Sequence, residues 1–215
     1  MDGESPAVFP GLARKNDDVF ILGAAQNKPF VRVYEQRGVE VVHGPSFRAN
    51  EEVFVDRCEE DNVLITARRG GGGTVVLSPG VLVIIAVGEK KSVHENALDV
   101  FRRVHEVIAA TLCNAGVDGV TFAGISDLAV NGKKILGSSL YMGSKPPLFY
   151  YQSSLMVSND LTLLDRYLRH PPREPKYREG RSHGQFCTTL KELGAEIDIL
   201  ELAELIQVDL KNKLR

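Results

Sequence analysis

Four consecutive glycines, Gly70 to Gly73, directly follow Arg68-Arg69 and lie between two runs rich in β-branched residues. No helix survives such a run, since each glycine costs about 1 kcal/mol relative to alanine in a helix interior. The flanking runs Val63–Thr66 and Thr74–Leu77 read as strands. A glycine loop between strands can adopt positive φ or bring its backbone close to a ligand. Its amides can form a concave anion site, and two adjoining arginines suit phosphate or carboxylate. It is not a Walker A loop, because no Gly-Lys-Ser/Thr follows, nor a dinucleotide fingerprint, because a strand follows where a helix is needed. On these residues alone, a ligand loop and a surface hairpin loop stand equally open.

The remaining pattern indicates an α+β chain with mixed, mostly antiparallel β-sheets packed with helices. Phe30–Tyr34 and Val39–Val42 read as a hairpin around Gln36-Arg37-Gly38. Val81–Val87 is apolar throughout, as a buried strand is. Asn131-Gly132 is a two-residue turn signal joining Asp127–Val130 to Lys133–Tyr141. Leu148–Val157 and Val120–Phe122 are further strands. Helices are expected from Asn16-Asp17-Asp18 to about Gln26, from Asn50 to about Glu60, over Asn96–Gly116, from Asn159-Asp160 to about Arg169, over Gln185–Leu193 and from Ile199 to about Leu210. Residues 1–15 read as a loose arm. Residues 16–215 read as one domain with no room for a C-terminal accessory domain. His170–His183, rich in Pro, Arg and Glu, reads as an exposed loop.

The ordinary globular composition, 43% hydrophobic and 25% charged, excludes a wholly disordered or fibrous chain. A net charge of −2 argues against a global polyanion-binding surface, leaving room for a local basic patch, and no nucleic-acid partner is expected. No leader-like N-terminus precedes the domain, and no apolar run is long enough to cross a bilayer, so a cytoplasmic protein without membrane contact is expected. Cys58, Cys113 and Cys187 lack paired spacing and read as reduced thiols, with Cys58 and Cys113 in the core. His183 and Cys187, four apart, would stack on one helix face. His105 reads as a surface or boundary residue. No metal-ligand spacing occurs. Lys134, in a strand with glycine and serines beyond it, is either a solvent-face charge or a cation pointed into a pocket.

Three segments in order, RRGGGGTVVLSPG from Arg68, SDLAVNGKKILGSS from Ser126 and FYYQSSLMVSNDL from Phe149, resemble the lipoate–protein ligase/octanoyltransferase family. Val42-His43-Gly44-Pro45-Ser46 is similar to that family's upstream substrate segment. The resemblance covers roughly residues 17–190 and implies the catalytic fold shared with biotin–protein ligases. It implies Lys134 as the catalytic lysine bridging acyl carbonyl and phosphate. It also implies a substrate-binding set of His43, Arg69, Gly70, Gly71, Gly72, Gly73, Thr74, Asp127, Gly137, Ser138 and Tyr151. The implied reaction activates lipoic acid, or octanoate, with ATP and Mg²⁺ and passes the acyl group to a lysine. The acceptor would be a lipoyl domain of a 2-oxoacid dehydrogenase or a glycine-cleavage protein, with a separate accessory subunit as a possible helper. The family's usual His-Asp reads Leu77-Ser78 here, and its paired histidines read Tyr150-Tyr151. An ATP-independent acyl transferase and a lipoyl-binding module with weakened chemistry therefore stand as alternatives.

Overall fold

The apolar run predicted as a buried strand is covered on both faces. It forms β5 (Val81–Glu89), whose residues are buried as far as Gly88. In the computed structural model of the chain, residues 15–18, 20, 23, 29–92 and 94–215 are described. Apart from Lys15, the expected N-terminal arm lies outside these residues, as does most of the helix expected to reach Gln26. β5 pairs antiparallel with β1 (Phe30–Glu35) and with β9 (Leu148–Met156). The sheet continues through β8 (Lys133–Met142), β7 (Asp127–Val130) and β6 (Thr121–Ala123), giving the order β1-β5-β9-β8-β7-β6. The Asn131-Gly132 turn joins β7 to β8 as expected.

A second sheet places β2 (Glu40–His43) between β3 (Leu64–Ala67) and β4 (Val75–Leu77). β3 runs parallel to β2 and β4 antiparallel to it. The hairpin expected from residues 30–42 therefore does not form. β1 and β2 enter different sheets, because each finds a better-buried partner in a later strand.

One face of the large sheet is covered by α3 (Ala97–Asn114) and α6 (Ile199–Lys213). Asn96 caps α3 in a reciprocal capping box with Asp99. Val100, Val104, Ile108 and Leu112, at three- and four-residue steps, are fully buried against the sheet. Burying each contributes about 1.5–3 kcal/mol, so Ile108→Asp would break this layer. The other face carries Val83, Ile85 and Tyr150, which meet Val42 and Leu77 of the small sheet.

Three expected helices are shorter than their patterns suggest. The segment from Asn50 splits into α1 (Ala49–Glu52) and α2 (Val55–Glu60), because Val53 makes a β-bridge to Leu168. The helix expected from Asn159-Asp160 is only α4 (Thr162–Tyr167), with Asp160 Oδ1 accepting from the Thr162 amide at 2.9 Å. The helix expected over 185–193 reduces to α5 (His183–Phe186). Beyond it, the Leu190 and Lys191 amides donate to Met156 and Val157 at the end of β9.

Candidate active site

The glycine loop joins β3 to β4, which lie on opposite sides of β2. The hairpin alternative is thereby excluded, and the loop must cross the end of β2. Arg68 holds it there. Its side chain is buried, and it donates to the Val42 carbonyl at 3.1 Å and to the Gly71 and Gly73 carbonyls at 3.1 and 2.7 Å. Burial lowers its pKa to about 10, with Glu52 opposing the shift only partly. Gly70 passes directly over β8, where a Cβ would lie 2.7 Å from Ser139 Oγ and 3.0 Å from the Leu140 amide nitrogen. Only glycine fits that approach.

Lys134 approaches from the large sheet. Its Nζ lies 2.9 Å from Asp127 Oδ1 across the β7–β8 hairpin. The Tyr177 hydroxyl donates to Asp127 Oδ2 at 2.8 Å, so one carboxylate ties the lysine to the segment 170–183. The lysine lies along Gly137, where a Cβ would come within 2.6 Å of both Cε and Nζ.

These parts enclose a cavity of about 1220 Å³ between the small sheet, the large sheet and the segment 171–178. Of the residues singled out in the sequence, Gly72, Gly73, Thr74, Asp127, Lys134, Gly137 and Ser138 line it. His43, Arg69, Gly70, Gly71 and Tyr151 lie outside its lining. Arg69 pairs instead with Asp17 at 2.8 Å and sits over the Phe20 ring. His43 stacks on Phe47. Tyr151 is buried on the helix side of the sheet beside His105 and Phe101. Among the described residues, no group of three or more His, Cys, Asp or Glu is placed to hold a metal ion, and no helix is long and apolar enough to cross a membrane.

The sequence profile of the family described as "Lipoyl protein ligase A/B catalytic domain" matches residues 16–211. The chain belongs to this family. It is 25% identical over 162 residues to "Lipoate-protein ligase A subunit 1" of Thermoplasma acidophilum, covering 71% of this chain and 59% of that relative. The chain thus spans under two thirds of that relative's length. Its fold is similar to that of a bipartite lipoate protein ligase from Thermoplasma acidophilum, solved in a study of that ligase and its E2 lipoyl domain. There the TM-score is 0.77 at 22% identity, with 91% of this chain and 76% of the other covered. A lipoate-protein ligase A bound with ATP matches with a TM-score of 0.73 at 21% identity, covering 88% and 74%.

Several residues of this lipoyl-ligase domain take places that their sequence did not announce. The segment 170–183 is not a solvated loop throughout. Lys176–Arg178 is a 3-10 turn, Arg178 and His183 are buried, and Tyr177 and Arg178 line the cavity. Cys187 is also a lining residue, since its backbone forms a parallel bridge to Lys134. Burial raises its thiol pKa, against the lowering effect of Lys134 and Arg178. The expected His183–Cys187 stack does not form. α5 ends at Phe186, and His183 Nδ1 turns to Asp165 Oδ1 at 2.8 Å. Cys58 is a core thiol as expected, but Cys113 is exposed.

His105 is buried rather than at a boundary. Its Nε2 lies 3.0 Å from Ser138 Oγ, which itself donates to the Ser126 carbonyl at 2.7 Å. That order requires the Nε2–H tautomer, so the imidazole supports the strand beside Asp127. Desolvation lowers its pKa to about 4.

Proposed function

We propose that this chain catalyses ATP-dependent activation of lipoate, or octanoate, to an acyl-adenylate, and transfer of the acyl group to a lysine of an acceptor domain. The observation that carries this reading is the meeting of Lys134 and the Arg68-held glycine loop across a single cavity. An acyl carboxylate oxygen attacks the α-phosphate of ATP, the bond to the β-phosphate breaks and pyrophosphate leaves. The acceptor's lysine amine then attacks the acyl carbonyl, AMP departs with the former carboxylate oxygen, and the amine's proton passes to solvent. Both steps concentrate negative charge beside Lys134. The chain's contribution is to place the reactants and offset that charge. Apolar lining residues such as Leu77, Val81, Val83 and Met156 suit a medium-length acyl chain.

Mg²⁺ held mainly by phosphates and water needs only one or two carboxylates. Asp127, with an open lone pair on each oxygen beyond its two bonds, fits that part and would hold the ion, which neutralises phosphate charge when bound.

A lipoyl domain of a 2-oxoacid dehydrogenase or a glycine-cleavage protein is the proposed acceptor, and a separate accessory subunit the proposed helper. The bipartite ligase and E2 lipoyl domain of the archaeal relative support both. The test is formation of lipoyl-AMP from lipoate and ATP by the purified chain, with and without an accessory subunit, followed by mass shift of an acceptor domain. No acyl-adenylate under any of these conditions would rule the ligase out.

Cys187, bridged to Lys134, favours a second reading as an ATP-independent acyl transferase through a thioester. Intact mass after incubation with an octanoyl carrier separates the two. An adduct lost in Cys187→Ala supports the transferase, and its absence with ATP-dependent turnover removes it.

A further inference from the structure

Three arginines are buried among the described residues, namely Arg68, Arg103 and Arg178. Arg68 gives its donors to loop carbonyls, and Arg103 pairs with Glu95 at 2.9 Å. Arg178 has no comparable partner. Its side chain is 5% exposed, and it makes one hydrogen bond, from Nε to the Arg181 carbonyl at 2.9 Å. Nη2 is buried with no hydrogen-bond partner, as Arg68 Nε and Arg103 Nε also are, and Arg178 lines the cavity.

Its surroundings supply little counter-charge. Glu174 Oε2 is 3.5 Å away and is shared with His170, while Glu174 Oε1 accepts from the Gly180 amide. Asp165 is engaged by His183 and half exposed. The Cys187 thiol stays protonated at neutral pH, because burial raises its pKa. Lys134 and Asp127 neutralise each other. Arg178 also sits over the Phe186 ring, 5.0 Å from its centroid, but a cation–π contact offsets only part of the cost of burying a guanidinium. A planar fork that lines the cavity and keeps an unpaired donor suits a phosphate oxygen pair.

We propose that Arg178 is an anion-anchoring residue that binds the outer phosphates of the nucleotide and holds the pyrophosphate leaving group as the acyl-adenylate forms. This rests on the ligase reading for the identity of the nucleotide, but the anion site itself can be tested apart from it. Lys134 and the glycine loop serve the carboxylate and α-phosphate. Lys134 and Arg178 line the same cavity and both act electrostatically on Cys187, whose backbone bridges to Lys134, so the two cations share this part of the site.

The experiment is calorimetric titration of inorganic pyrophosphate, and separately of lipoate, into wild type, Arg178→Lys and Arg178→Met, with thermal unfolding as the check on folding. Arg178→Met is expected to lose about tenfold to a hundredfold in pyrophosphate affinity, with lipoate affinity unchanged and Arg178→Lys between. Unaltered pyrophosphate affinity in a folded Arg178→Met, or no pyrophosphate binding by wild type, overturns the proposal. Should Arg178→Met not fold, phenylglyoxal modification of wild type decides. Pyrophosphate is expected to protect Arg178 in the mapped peptides, and equal modification with and without it overturns the proposal. Pyrophosphate binding that depends on Arg178 in a protein forming no lipoyl-AMP would remove the ligase reading and leave the anion site. Lipoyl-AMP synthesis with Arg178-independent pyrophosphate binding would do the reverse.

Discussion

Lys134 and Asp127 face each other across the β7–β8 hairpin at 2.9 Å, and the lysine reaches that position by lying flat along Gly137. A methyl group at residue 137 would occupy the space of the lysine's own Cε and Nζ. Because those atoms are the far end of a flexible side chain, the fold accommodates the change while the ammonium moves. If Lys134 acts as proposed, Gly137→Ala lowers lipoyl-AMP formation about a hundredfold, the cost of displacing such a group by roughly 1 Å. Thermal unfolding should change little. Single-turnover kinetics beside a melting curve checks the pair of outcomes.

Arg68 is the second site where one side chain determines the geometry of many backbone atoms. Arg68→Ala leaves the carbonyls of Val42, Gly71 and Gly73 without their donor and a space beneath the loop. The expected loss of stability is about 1–3 kcal/mol, read by denaturant unfolding. The loop should also lose its fixed path over β8, seen as faster hydrogen exchange at the amides of Gly70 to Gly73 and weaker lipoate binding. Arg69→Ala, which removes a pair with Asp17 whose side chains are about a quarter exposed, should cost about 1 kcal/mol.

The buried His105 gives the protein an acid sensitivity of known sign. Its ordinary pKa of 6.5 in the unfolded chain falls to about 4 in the fold, because desolvation disfavours the imidazolium. Ser138, Tyr151, Phe101 and Phe122 surround it, and Asp127 opposes the shift only partly. Below pH 6.5 the unfolded chain takes up a proton that the folded chain refuses. Stability is thus present above that pH and is lost as pH falls towards 4. The contribution is on the order of 3 kcal/mol. His105→Gln should flatten the stability profile between pH 6.5 and 4 relative to wild type, as measured by urea unfolding at stepped pH. An equally steep profile in the variant would show that other groups govern it.

Much of the large sheet was legible because its strands carry local signals. Val81–Val87 was apolar on both faces, Asn131-Gly132 named its own turn, and the apolar steps from Asn96 marked α3. Lys134, Asp127, Gly137 and half of the glycine run were legible as a motif, and they share one cavity. What failed was whatever long-range pairing decides. β1 and β2 looked like a hairpin because their separation is short, yet β2 is claimed by β3 and β4. Of two adjacent arginines, no sequence rule told which turns inward. Alternation from the buried Ile65 does not settle it, since both Thr66 and Ala67 are half-buried and Arg68 is the one enclosed. Tyr177 and Arg178 were hidden in a segment whose Pro and Arg content resembles a solvated loop. They matter because the chain folds back over residues far away in sequence, Asp127 among them.

The central claim is that Lys134 promotes acyl-adenylate formation in this cavity. Lipoate-dependent exchange of labelled pyrophosphate into ATP measures that step alone, without an acceptor domain. Wild type, supplied with an accessory subunit where one is required, should exchange only when lipoate or octanoate is present. Folded Lys134→Ala should fall about a hundredfold to a thousandfold, the range for removing one preorganised charge-stabilising group. Exchange undiminished in Lys134→Ala, or exchange by wild type that is independent of the acyl acid, would contradict the account.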